Sequence, residues 1–271
     1  MSAQPVLVCF AVSHERRFFR PVPEWNCRVV VTGIGRGNAR RGLERALERE
    51  RPALVLTCGY AGGLNPDLQF GQVVFEDEGA QDWGELGREK WTEKLEASRP
   101  DQGDRPDGDA RGEEGRGKMP NGKWQMANGS GLGAALLELG ALRVRFLESD
   151  HVVVTAREKA GLWQTTGADA VEMESAEIRR ICQQRGIPVA TIRVISDTAA
   201  EDLPLDFNQV SGPDQNLSYA KLAVRVVRSP ALIARLLHLQ RRLNGAAQRL
   251  AEVLEGTLAR GQQATAKGGG F

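Results

Sequence analysis

Residues that build metal centres and disulfide scaffolds are scarce in this chain. It has four cysteines and three histidines in 271 residues. Cys9, Cys27, Cys58 and Cys182 lie far apart, each in or beside an apolar run, with no Cys-x-x-Cys pair. That spacing excludes a zinc ribbon or a redox motif and predicts reduced, buried thiols in a cytoplasmic protein. His14, His151 and His238 have no zinc-ligand spacing, so neither metal nor cofactor is expected. Net charge is also missing: 36 basic and 35 acidic residues leave +1. There is no global basic field for a nucleic acid, and no nucleic-acid partner is expected. No apolar run is long enough to span a membrane. The first residues, Met-Ser-Ala-Gln-Pro, put no basic group ahead of their short apolar run, so no secretory leader is expected.

What the chain does have is strand-like apolar runs that end in glycines or carboxylates. Residues 6–12 form the first run, expected to be a central strand, and it closes on Ser13-His14-Glu15. Glu15 taken alone reads as a solvated carboxylate opening a helix. Residues 27–32 are the second run and lead into Gly33-Ile34-Gly35-Arg36-Gly37-Asn38. A helix follows, with Asn38 as the expected N-cap and Ala39, Leu43, Ala46 and Leu47 on one face. This is not a dinucleotide fingerprint, because Asn38 stands where the third glycine should be and the next frame ends in Arg40. Residues 54–57 predict a short strand, followed by a glycine turn, Cys58-Gly59-Tyr60-Ala61-Gly62-Gly63-Leu64, in which the backbone can approach a ligand closely. Residues 73–75 predict a further strand.

Residues 97–123 carry almost no large apolar side chain and predict a disordered or loosely held insert. Residues 132–139 read as a helix stopped by Gly140, and Leu142, Val144 and Phe146 as a half-exposed strand. Thr155 with Glu158 three residues on forms a capping box. His151, just before, reads as a packed or capping histidine.

The richest stretch is 171–199. Glu172 and Glu174 flank Met173, and a helix with Ala176, Ile178, Ile181 and Cys182 on its apolar face follows. Gly186 stops it and Pro188 sits just beyond. Residues 189–195 are apolar and β-branched, a buried strand that carries Arg193 and delivers Ser196 and Asp197 at its end. Ligands of open α/β sheets bind outside the carboxyl ends of strands. The same residues, taken alone, also suit an acidic helix start and a turn aspartate. Ser229-Pro230 then opens a long helix with Leu232, Ile233, Leu236, Leu237, Leu243 and Leu250 as its apolar face. From Lys221 to Arg249 every charged side chain is basic. Such a helix suits packing on the domain with a solvated basic face, and also peripheral contact with a membrane surface.

Strands alternating with helices make an α/β protein. Four motifs in order then carry a resemblance: Thr32-Gly33-Ile34-Gly35, Gly59-Tyr60-Ala61-Gly62-Gly63-Leu64, Val171-Glu172-Met173-Glu174-Ser175 and Ile192-Arg193-Val194-Ile195-Ser196-Asp197. With them the chain resembles the nucleoside phosphorylase/nucleosidase superfamily. Within it, the chain is similar to the methylthioadenosine/S-adenosylhomocysteine nucleosidases. Through Ser149-Asp150-His151-Val152-Val153 with Glu158-Lys159, and through its Leu/Arg-rich C-terminus, it is closer still to the hopanoid-associated phosphorylases, whose implied substrate is adenosylhopane.

The resemblance implies a three-layer α/β/α fold around a mixed, largely parallel twisted sheet. It implies one catalytic domain over residues 1–259; the residues themselves add a basic helical extension at 218–259 and a flexible tail at 260–271. It also implies a homodimer or higher homo-oligomer. By resemblance, Asp197 is the general acid toward the leaving purine and Ser196 holds its carboxyl. Glu15 activates water with Arg193 nearby. Glu174 takes the ribose diol, Met173 packs on the sugar, and Glu172, Val152, Val153, Tyr60, Ala61 and Gly62 complete the substrate site. Val152 offers an aliphatic wall where relatives stack an aromatic ring on adenine.

Phosphorylase relatives carry an arginine and a serine where this chain has Thr57 and Tyr60. An anionic Glu15 would repel a phosphate dianion, and only Arg36 and Arg193 could rescue a phosphate site. The expected activity is therefore release of adenine or a related purine from a 5′-substituted nucleoside by water. Phosphate-dependent purine nucleoside phosphorolysis is the alternative, and an inactive nucleoside-binding protein the second.

Overall fold

The computed structural model describes residues 4–77, 130–210, 212, 229 and 231–267. The strand β1 (Val6–Phe10) is followed by a 3-10 turn (Pro23–Trp25), β2 (Cys27–Val31), α1 (Arg36–Leu47), β3 (Leu54–Gly63) and β4 (Val73–Asp77). Then come α2 (Ser130–Glu138), β5 (Leu142–Arg143), β6 (Phe146–Glu148), α3 (Ala156–Thr166), β7 (Ala170–Glu172), α4 (Ser175–Gln184), β8 (Val189–Asp197), α5 (Phe207–Val210) and α6 (Ala231–Lys267). The insert at 97–123, the helical character around Trp83 and Trp91, and the extension from 218 to 228 lie outside the described residues.

The sheet runs β2-β1-β3-β8-β4-β5, with β7 on the far part of β3 and β6 beside β7. β1 pairs in parallel with β2 and β3, and β3 with β8, while β4 runs antiparallel to β8 and β7 antiparallel to β3. The sheet is thus mixed and largely parallel, with helices on both faces. The period of two along β1 divides its side chains between them. Val6, Val8 and Phe10 join a core completed by α2 and the second half of α6. Leu7 and Cys9 join another, completed by Ala39 and Leu43 of α1 and Ile178, Ile181 and Cys182 of α4.

Three local expectations need correction. The glycine stretch after residue 57 is not a turn: β3 continues to Gly63, shifting register between Ala61 and Gly62. Pairing with β8 on one side and β7 on the other satisfies its backbone, so the glycines sit in a strand. Helix α1 starts at Arg36 with Gly35, at φ 83°, as its N-cap. Asn38 lies inside the first turn, where its amide donates to Ile34 O. Finally, α6 continues through Gly261 to Lys267, where a tail was expected from residue 260.

Candidate active site

The carboxyl ends of β1, β2, β3, β7 and β8 meet at one place, and the chemically distinctive residues stand on them. Just after β1, Glu15 is buried, contrary to the solvated reading of its local sequence. Its Oε2 accepts N–H groups from Ala11 (2.8 Å) and Val12 (3.0 Å), and its Oε1 accepts the Tyr60 N–H (3.0 Å). Burial pushes its carboxyl above the ordinary range, and Arg193 and these N–H groups oppose the shift. Gly59 explains why this is sterically allowed. A Cβ there would lie 2.3 Å from Glu15 Oε1 and 2.9 Å from Arg193 Nη1. The missing side chain makes room for the carboxylate and the guanidinium together.

Arg193, on β8, is buried and central. Its Nη2 donates to Glu172 Oε2 (2.6 Å), Ser175 Oγ (2.9 Å) and Thr57 Oγ1 (3.3 Å), and lies 3.7 Å from Glu174 Oε2. Glu174 is the N-cap residue of α4, and its Oε1 accepts the Gly35 N–H at 2.8 Å. Desolvation raises its pKa to about 7; Arg193 works against this and Glu172 with it. Glu172 Oε2 also accepts the N–H groups of Glu174 and Ser175 and the Ser175 hydroxyl. A carboxylate at a helix N-terminus is well placed against the helix dipole. Glu172 therefore supports α4 and Arg193 through Oε2, while its buried Oε1 has no hydrogen-bond partner among the described residues.

At the end of β8, Asp197 stands beside Gly62 in the β3 register. Its Oδ1 accepts the Ser196 hydroxyl at 2.6 Å, and that hydroxyl is also 3.2 Å from Ala61 O. Its Oδ2 lies 2.6 Å from Lys159 Nζ. Met173 and Val152 are half-buried, and Val153 is buried with Leu64, Ala168 and Val171. Both backbone polar groups of Val152 pair with the Asn208 side chain at 2.8 Å. Tyr60 also differs from expectation. Its ring turns toward α6, with Oη 2.7 Å from His14 Nδ1 and donating to Leu243 O at 3.2 Å. Burial raises its hydroxyl above the usual tyrosine range. Its contribution to the site is its backbone N–H.

Several supports were not singled out from the sequence. His14 Nε2 lies 3.0 Å from Asn244 Oδ1, tying the Glu15 loop to α6. Arg242, also on α6, pairs with both oxygens of Glu201, whose Oε2 accepts the Thr198 N–H beside Asp197. In the sequence, Lys159 stands out only as the second residue of the Glu158-Lys159 pair. One signal marks it: it lies three residues before Leu162 on α3, a lysine on the face that packs inward. Among the described residues, no group of His, Cys, Asp and Glu is placed to hold a metal ion.

The sequence model of the phosphorylase superfamily matches residues 7–258. The 5′-methylthioadenosine/S-adenosylhomocysteine nucleosidase of Geobacillus thermodenitrificans is 32% identical over 181 residues, 67% of this chain and 70% of that protein. Among solved structures, the nucleosidase of that name from Colwellia psychrerythraea, in complex with adenine, superposes with a TM-score of 0.57 at 17% identity, covering 96% of each chain. The futalosine hydrolase of Helicobacter pylori gives 0.55 at 18% identity, covering 95% of this chain and 98% of its own. At such identities the superpositions establish the shared fold.

Proposed function

The chain belongs to the phosphorylase superfamily, and we propose on that premise that it is a purine N-glycosidase that uses water to release adenine from a 5′-substituted nucleoside. The observation that carries the reading is the placement of three buried carboxylates at one set of strand ends, Glu15 and Glu174 beside Arg193 and Asp197 at the end of the same strand. Breaking an N-glycosidic bond passes through an oxocarbenium-like state, as in O-glycoside cleavage. Three jobs follow. Glu15, with its carboxyl raised by burial, takes the proton of the attacking water beside Arg193. Glu174 accepts both ribose hydroxyls, with Met173 against the sugar. Asp197, held by Ser196, protonates N7 of the departing purine, which lies along Val152, Val153, Ala61 and Gly62.

Water is favoured over phosphate by how the arginines are used. Arg193 is engaged by Glu172 and Glu174, and Arg36 pairs with Glu148 through two contacts of 3.0 and 3.2 Å. Neither is left to neutralise a dianion, and Thr57 is spent on Arg193. For the 5′ group, the closer resemblance supports a lipid such as that of adenosylhopane. The first turns of α6 support this: Ile233 and Leu237 are 46% and 50% exposed, with Arg235 and Arg241 beside them, a surface suited to anionic lipid. No described helix is long and apolar enough to cross a membrane. The working state is taken to be a homo-oligomer, checked by light scattering, where a monomer at assay concentrations would oppose it.

Purified protein is to be incubated with adenosine, methylthioadenosine, adenosylhomocysteine and an adenosyl-lipid, with and without phosphate, and free base followed by chromatography. Base release at a rate independent of phosphate is expected. Release only with phosphate would reverse the choice of nucleophile, and no base from any substrate would overturn the reading.

A further inference from the structure

The residue least explained by hydrolysis as described is Lys159. It is the buried charged side chain of α3, 0% exposed. Its Nζ donates to Thr198 O (2.8 Å) and Glu201 O (2.7 Å) and lies 2.6 Å from Asp197 Oδ2. Two of its three protons thus go to carbonyls, and the third is left for Asp197. Oδ2 has no other donor among the described residues and no hydrogen bond of regular geometry.

Stability alone is a poor reason for this lysine. Desolvating two charges costs more than a well-packed apolar pair would, so a buried ion pair is weak evidence of stabilisation. The pair also sits on the group read as the general acid. In an ion pair the proton rests on nitrogen, whereas an acid must hold one to give. One assignment meets both facts. We propose that Lys159 is the positioning residue of the acid and the resting place of its proton, so that the donor to the leaving purine is the Lys159–Asp197 pair. This rests on the reading of Asp197 as the acid.

The step balances. The C1′–N9 bond breaks and its electron pair goes to the purine. N7 takes a proton from Asp197, and Asp197 takes one from Lys159 Nζ. The water oxygen bonds to C1′, and its proton goes to Glu15. The purine leaves neutral, and afterwards solvent returns a proton to Lys159 and removes one from Glu15. The two carbonyls that hold the ammonium keep Nζ against Oδ2 while the amine is neutral, since it still has two protons to donate.

The test compares two leaving groups. One substrate is whichever of adenosine, methylthioadenosine and adenosylhomocysteine the wild type cleaves fastest. The other is a 4-nitrophenyl riboside with the same 5′ group, whose phenolate leaves without protonation. Lys159→Arg keeps a cation that does not surrender its proton, and Lys159→Met keeps the length without charge, so the second variant gives the readout if arginine does not fit. Both are expected to lower kcat on the purine nucleoside by ~10²-fold or more, with KM within a few-fold, and to cleave the nitrophenyl riboside near the wild-type rate. Asp197→Asn should show the same split. A Lys159→Arg enzyme with near-normal purine turnover, or an equal loss on both substrates, would leave Lys159 as a structural anchor and overturn the proposal. Undiminished purine turnover in Asp197→Asn would instead remove the reading of the acid itself.

Discussion

At the scale of single residues, each carboxylate of the site is held differently, and the differences set what substitutions do. Asp197→Asn keeps the shape and removes the proton, so kcat should fall by ~10²-fold or more while product adenine still binds, as measured by calorimetry; near-normal turnover would remove Asp197 from the role. Glu174, with a pKa of about 7, must be ionised to accept two hydroxyls. Substrate affinity should therefore weaken as pH falls below about 7, seen as a rising KM, and Glu174→Gln should remove most of that dependence. A KM profile unchanged by the substitution would place the dependence elsewhere. Gly59→Ala puts a methyl 2.3 Å from Glu15 Oε1, so it should displace the base and abolish turnover, and an active Gly59→Ala enzyme would contradict the packing described. The types and order of these residues were legible because they sit in short motifs at strand ends. Their states were not. Glu15 reads locally as a solvent-facing carboxylate, and only the N–H of Tyr60, 45 residues away, and the space left by Gly59 bury it.

At the scale of elements, α6 is the part whose role the sequence described least well. Its apolar face allowed packing on the domain, and Ala246, Leu250, Val253, Leu254 and Leu258 are in the main core, but its basic composition did not show that the helix also supports the site. Leu250→Ala should cost about 2–5 kcal/mol in a denaturant titration, and an unchanged midpoint would show that the helix packs less closely than described. The same helix reaches both sides of the site. Asn244 and Leu243 engage His14 and Tyr60 beside Glu15, and Arg242 engages Glu201 beside Asp197. Arg242 also lies over the Phe70 ring at 4.2 Å, so it is a packed side chain and not part of a free basic face. These contacts join residues as far apart as 14 and 244, and no local periodicity encodes them. For β1 and α4 the opposite holds. The unbroken apolar run of β1 marks a strand covered on both faces, the 3.6-residue stripe on α4 names the face it buries, and the two cores agree with that.

At the scale of the whole molecule, the site stores charge that the fold would be more stable without. Burial raises Glu15 and Glu174, the latter from 4.5 to about 7. A carboxyl held higher in the folded than in the unfolded state binds its proton more tightly when folded. Its stabilising contribution is complete below about 4.5 and is lost as pH rises through about 7. Glu201 runs the other way: Arg242 draws it down to about 2, so its contribution is lost only as pH falls from 4.5 toward that value. Thermal unfolding should therefore show Tm rising as pH is lowered from about 7 toward 4.5, and Glu174→Gln should flatten the rise. A Tm that falls steadily over that window would mean the carboxylates are not desolvated as described. The central claim concerns the attacking group, and its most direct measurement is isotopic. Adenine release from methylthioadenosine is run in heavy-oxygen water with phosphate present, the sugar is reduced at once, and its mass is read. The account predicts heavy oxygen on C1 of the sugar, and a sugar phosphate without the label would contradict it.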